Sequence, residues 1–156
     1  MLTTLDSLFG RIGKQSRDIS WTLFRLLTAS MFMTHGFAKL FGDSPQPFTG
    51  GGMTSINIGD VISLPIPGAI NALFIAGIIE FFGGLCVFLR FKTHLVAFMT
   101  MLLMLMAYLT SHLAWYPTLN RGELAGLYFV AFMVILATGA SPFSVDNWLR
   151  KRVKSG

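Results

Sequence analysis

Apolar residues fall along this chain in long blocks, with neither the alternation of a half-buried strand nor the narrow stripe of a soluble surface helix. Four blocks occupy about 20–41, 67–89, 95–115 and 122–138, each near the ~20 residues that cross a ~30 Å hydrocarbon core as a helix. The fourth is the shortest. A segment in lipid must satisfy its own backbone donors and acceptors, and no block shows the dyad pattern of a barrel strand, so the blocks predict helices. The expected fold is all-α, an integral membrane four-helix bundle forming a single domain.

The segments between the blocks are amphipathic or turn-rich. Residues 1–17 place Leu2, Leu5, Phe9 and Ile12 at helical spacing among basic residues, which predicts a helix lying at the membrane interface. Residues 42–66 carry Pro45, Pro47 and the run Gly50 to Gly52, then apolar residues from Thr54 to Leu64 that predict a short surface helix or a lid. Residues 144–156 form a basic tail with Trp148 and Leu149 among the cations, interfacial or frayed. Arg25, His35 and Lys39 interrupt the first block and no small-residue cleavage site follows it, so it reads as a membrane helix and not as a cleaved signal.

Charge orients the blocks. Arg11, Lys14, Arg17, Arg90, Lys92, Arg150, Lys151, Arg152 and Lys154 flank one side, against Lys39 and Arg121 on the other. This bias predicts both termini in the cytoplasm, with loops 42–66 and 116–121 outside. Trp115 and Tyr116 then mark the outer interface, and Trp21 and Trp148 the inner one. Composition agrees, because 53% hydrophobic and 12% charged residues are too apolar a mixture for a soluble domain of this length. The net charge of +5 is therefore a matter of topology and not of nucleic-acid binding. A lone cysteine, Cys86, excludes an internal disulfide and any multi-cysteine metal centre.

Ionisable residues inside spans cost roughly 2.5 to 3.5 kcal/mol each at mid-helix, so each needs a partner, water or an interface. In the first block Arg25, Thr28, His35 and Lys39 share one helical face, which must point into the bundle. In the second, Ala72, Ala76, Glu80 and Gly84 recur every fourth residue, a small-residue stripe that carries Glu80 into the same interior. Counting depth from the cytoplasmic ends predicts a buried ion pair between Arg25 and Glu80, serving either helix register or binding and proton movement.

Toward the outer ends, His35, Lys39, His112 and Glu123 close or open three different helices, with Tyr108 one turn before His112. Together they are ligand-binding candidates for an anionic or quinone-like molecule, with Phe32 and Trp115 as further wall residues. An interfacial hydrogen-bond network is the alternative. Two histidines at unrelated spacing make no metal signature, and Met99, Met101, Met104 and Met106 surround the third helix without forming a copper stripe. Gly122 and Gly126 have the spacing of a helix-contact seam, and no catalytic or nucleotide-binding motif is present.

The run from Arg25 through His35-Gly36 to Lys39-Leu40-Phe41-Gly42 resembles the opening helix of DoxX proteins. Ile79-Glu80-Phe81-Phe82-Gly83-Gly84 resembles that family's second-helix signature, and the segment from Gly139 through Ser144 to Asp146 its closing pattern. The resemblance covers about 19–146. It implies a bacterial inner-membrane location and, for some members, a subunit role in thiosulfate, thiol or quinone-linked redox chemistry. The expected function is thus a membrane subunit or anchor for a redox enzyme, with quinone as the candidate cofactor and the lipid bilayer and a redox enzyme as partners. The alternatives are a small-solute permease, which four spans without an inverted repeat would support only as a homo-oligomer, and a purely structural anchor. The long glycine- and proline-rich outer loop departs from the family pattern and withholds any transfer of substrate specificity.

Overall fold

The computed structural model describes residues 2–59 and 61–139, with side chains from Leu5 onward, so the tail expected at 144–156 lies outside the described residues. Four helices carry the chain: α1 (Leu2–Phe41), α2 (Ala72–Leu89), α3 (Thr93–Ser111) and α4 (Glu123–Thr138). Between α1 and α2 a hairpin of β1 (Ser55–Ile58) and β2 (Ile62–Pro65) leads into a 3-10 turn at Pro67–Ala69, and a second such turn, Pro117–Asn120, precedes α4.

Two of these elements differ from the sequence reading. The interfacial segment 1–17 and the first span 20–41 are one unbroken helix, about 60 Å long at 1.5 Å per residue. No proline interrupts it, and Gly10 and Gly13 stand in open space, so nothing forces a break. The stretch 54–64 is a strand pair and not a helix. Ser55 lies opposite Pro65, Ile56 opposite Leu64, Asn57 opposite Ser63 and Ile58 opposite Ile62. Gly59 turns the chain at a positive φ of 55°, a conformation glycine reaches without steric cost, and the isoleucines on either side pair across it.

Every helix buries one seam at alternating spacings of three and four. The buried seam positions are Arg25, Ala29, Phe32 and Gly36 on α1 (with Thr28 buried beside Ala29), Gly77, Glu80, Gly84 and Val87 on α2, Thr93, Ala97, Thr100 and Met104 on α3, and Ala125, Tyr128, Phe132 and Ile135 on α4. This is the repeat of helices packed at shallow angles. The small-residue stripe of α2 is thus Gly77 and Gly84 and not the expected Ala72 and Ala76, because a true helical seam alternates its steps where a strict step of four drifts around the helix.

Glycine sets how close the helices come. A β-carbon on Gly36 would collide with the backbone of Phe81 and Gly77, and one on Gly84 would meet Met33 and the Ala29 carbonyl. α1 therefore lies directly against the backbone of α2. Phe32 joins this pair to α4, its ring 5.2 Å from Tyr128 and 4.7 Å from Phe132 between centroids.

The surface inverts the soluble pattern. Arg25, Glu80, Asn71, Thr93 and Thr100 are buried, while Leu127, Leu23, Leu27, Met31 and Leu102 are exposed, Leu127 at 68%. Such an apolar exterior has lipid as its natural solvent. Among the described residues α2 and α3 are long and apolar enough to cross a bilayer, and α4 is a shorter apolar helix.

Candidate functional site: an ion pair beneath an apolar cavity

Glu80 is 4% exposed and takes the Lys39 ammonium on both carboxylate oxygens, each at 2.5 Å. The pair expected between Arg25 and Glu80 does not form. Arg25, equally buried, donates through Nη1 to the carbonyls of Val87 and Phe88, at 2.5 and 2.6 Å. It caps the C-terminal end of α2, where free carbonyls favour a cation.

Helix geometry explains this exchange of partners. α1 and α2 are antiparallel, with Lys39 over Gly77, Gly36 over Phe81 and Met33 over Gly84. That register puts Arg25 opposite Val87 and Phe88, roughly two turns beyond Glu80. Helical side chains lean toward their own N-termini. Lys39 leans along α1 toward Glu80 and Glu80 leans along α2 toward Lys39, so the two converge, whereas Arg25 leans away. Depth counting from the helix ends omitted that lean.

Lys39 and Glu80 form part of the wall of a cavity of about 350 Å3 between α2, α3 and the outer hairpin. Met53, Ile56, Leu73, Leu103, Met104 and Ala107 supply much of the rest, with Thr110 and Ser111 at the end of α3. The lining is apolar except for these few groups, the usual make-up of a small-molecule site.

Asn71 holds the outer loop over this cavity. Fully buried at the N-cap of α2, its Oδ1 accepts from the Leu73 and Met53 amides while its Nδ2 donates to the Pro47 carbonyl and Gln46 Oε1. Every polar valence of the amide is used, which ties both ends of the loop to α2. The sequence reading passed over Asn71, although an asparagine just before an apolar run is a helix-start signal.

The outer cluster expected from sequence does not assemble into one pocket. Lys39 serves the α2–α3 cavity. Tyr108 and Glu123 line a separate groove of about 460 Å3 between α3 and α4, beside Tyr116 and Pro117. His112 bonds through Nδ1 to the Asn120 carbonyl, 2.9 Å, and the Tyr108 hydroxyl donates to the Ala114 carbonyl, 2.8 Å, so both serve the α3–α4 turn. His35 is exposed and presents its ring edge-on to Tyr128, 5.8 Å between centroids. Phe32 is core and Trp115 is almost wholly exposed, so neither lines the predicted pocket. No group of three or more metal-type ligands occurs among the described residues.

The family model DoxX matches residues 20–113, a stretch that includes Arg25, His35, Gly36, Lys39 and Glu80. An uncharacterized protein of Haemophilus influenzae is 33% identical over 133 residues, covering 82% of this chain and 89% of the relative. No solved structure matches the chain. The resemblance first seen in the His-Gly and Lys-Leu-Phe-Gly elements of α1 is confirmed over most of the helical bundle, and the chain belongs to the DoxX family of membrane proteins.

Proposed function

We propose that this protein is a four-span inner-membrane protein with both termini in the cytoplasm, and that it serves a redox enzyme as a membrane subunit by holding a quinone-like ligand between α2, α3 and the outer hairpin. The observation that carries the reading is the Lys39–Glu80 pair set in the wall of a largely apolar cavity. An amphiphile with a polar ring head and an apolar tail meets both needs. The head finds a charge-assisted donor in Lys39, and the tail finds isoleucine, leucine and methionine. The volume falls within the ~300–1,000 Å3 range of small-ligand sites. The orientation rests on the basic flanks of the sequence and on the apolar exterior.

Photolabelling of the detergent-purified chain with an azido-quinone analogue tests the site. Labels are expected on peptides containing Met53 or residues 103–111. Ala76→Phe, which fills the cavity, should abolish them, and Lys39→Met with Glu80→Leu together should weaken binding at least tenfold. Labelling confined to the α3–α4 groove, or unchanged in both variants, overturns the reading. A redox enzyme that co-purifies with the native chain supports the subunit role, and its absence after in-cell crosslinking removes it.

A further inference from the structure

The groove of about 460 Å3 between α3 and α4 has a chemistry of its own. Glu123 is the one charged residue in its lining, and among the described residues its carboxylate makes no ion pair. Arg121 and His112, the nearest cations in sequence, stand outside the lining, and His112 is engaged with the Asn120 carbonyl. Two tyrosines share the groove with the acid. Tyr108 packs so closely on Gly122 that a β-carbon there would stand 2.7 Å from its ring, and its hydroxyl is held by the Ala114 carbonyl. The ring is thus fixed next to the first turn of α4. Tyr116, 62% exposed, lines the same groove. Gly126, one turn beyond Glu123, would carry a β-carbon no nearer than 3.8 Å to Pro117, so its missing side chain keeps the groove open. The remaining walls, Leu105, Leu127, Phe129 and Val130 among them, are apolar.

We propose that this groove binds lipophilic organic cations, with an ammonium head at Glu123 beside the tyrosines and an alkyl body along Leu105, Leu127 and Val130. The sign is opposite to that of the anionic ligand for which the sequence grouped Glu123 with Lys39 and the histidines. An unpaired carboxylate supplies the charge partner, and aromatic rings attract a cation through their π faces, quaternary ammonium groups above all. The contact gains strength where lipid lowers the dielectric, and this groove lies on the apolar exterior, with Leu127 68% exposed beside it. An anion would meet Glu123 as a like charge. A zwitterionic phospholipid fits less well than a simple cation, because its phosphate would find no basic residue in the lining. The site is distinct from the cavity of the Lys39–Glu80 pair, the two sharing only Met104, and it does not rest on the quinone reading.

The test is calorimetric titration of the full chain, purified in dodecyl maltoside, with dodecyltrimethylammonium as the probe. Dodecyldimethylamine oxide, of nearly the same shape but with no net charge in mildly alkaline buffer, is the comparator. The cation should bind saturably and at least tenfold more tightly than the amine oxide. Glu123→Gln should erase that difference while leaving the melting temperature near that of the parent, since the residue is exposed. Tyr116→Leu, which keeps apolar area but removes the π face, should weaken the cation and not the amine oxide. Gly126→Leu should fill the groove and abolish both, whereas Ala76→Phe, which fills the other cavity, should leave cation binding unchanged. Equal affinity for the two probes, or cation binding that survives Glu123→Gln, overturns the proposal. Loss of cation binding in Ala76→Phe overturns it too, by placing the probe beside Lys39 and Glu80. Native mass spectrometry that finds a phosphatidylethanolamine held by the parent and lost in Glu123→Gln replaces the simple cation with a lipid headgroup and so overturns the assignment.

Discussion

Lys39 rests on Gly77 so closely that a β-carbon added to Gly77 would stand 3.0 Å from the Lys39 β-carbon. That contact fixes how far along α2 the lysine stem lies, and therefore that its ammonium reaches Glu80 one turn away. Gly77→Val should push the stem aside and cost about 1 to 3 kcal/mol, the usual range for overpacking. Gly36→Ala should cost at least as much, since its new methyl meets backbone and not side chain. Gly10→Ala, in open space on α1, should be neutral or stabilise by up to ~1 kcal/mol. Thermal unfolding in detergent ranks the three, and equal losses would show that the α1–α2 approach is not set by glycine.

The ion pair predicts strong coupling between its members. Removing Lys39 alone strands the buried Glu80 carboxylate, which costs about 3 to 5 kcal/mol, removing Glu80 alone leaves a half-buried ammonium and should cost less, and Lys39→Met with Glu80→Leu should lose far less than the sum. Arg25→Met should add to Glu80→Leu within ~0.5 kcal/mol, because the two residues share no partner. A double-mutant cycle on folded yield or denaturant midpoint reads both results. Coupling between Arg25 and Glu80 would contradict the observed pairing.

Asn71→Ala should release the outer loop. Four hydrogen bonds vanish at once, leaving the Met53 amide and the Pro47 carbonyl without that partner, so a loss of about 1 to 3 kcal/mol is expected. Amide exchange at residues 46–58 should rise while exchange at the centres of α3 and α4 stays slow. Unchanged loop exchange would mean that the hairpin is held by its own strand pairing.

Orientation is testable without a ligand. Reporter fusions after Lys14, Lys92 and Lys154 should read cytoplasm, and one at Gly51 should read the outer side. A cytoplasmic signal at Gly51 would reverse the arrangement and place the hairpin and cavity on the inner face.

The helices were legible because they follow from composition alone, a run of apolar residues long enough to cross lipid being visible whatever packs against it. Glu80 was legible as an interior residue for the same reason, since an acid inside such a run has nowhere else to go. Its partner was not. Choosing between Arg25 and Lys39 needs the register of α1 on α2, which Gly36, Gly77 and Gly84 set through contacts that no one-dimensional pattern encodes. The hairpin was missed because Pro65 and the glycines of the outer loop read as generic breakers, although apolar residues on both sides of Gly59 were a usable sign of paired strands.

The two cations of α1 also decide which parts of the molecule can move. Arg25 and Lys39 are about 21 Å apart along one unbroken helix, and each fastens α2 at a different height, one at its terminal carbonyls and one at Glu80. A sliding stroke of α2 along α1 would have to break both fastenings and drag Gly36 and Gly84 out of their close contacts. The α1–α2 pair is therefore a stator. α3 and α4 follow α2 through the short turn at Arg90 to Lys92, where two residues adopt positive φ. Under the proposed function, ligand would enter by a swing of that helical pair against the fixed one, with the hairpin latched through Asn71 to the side that stays still.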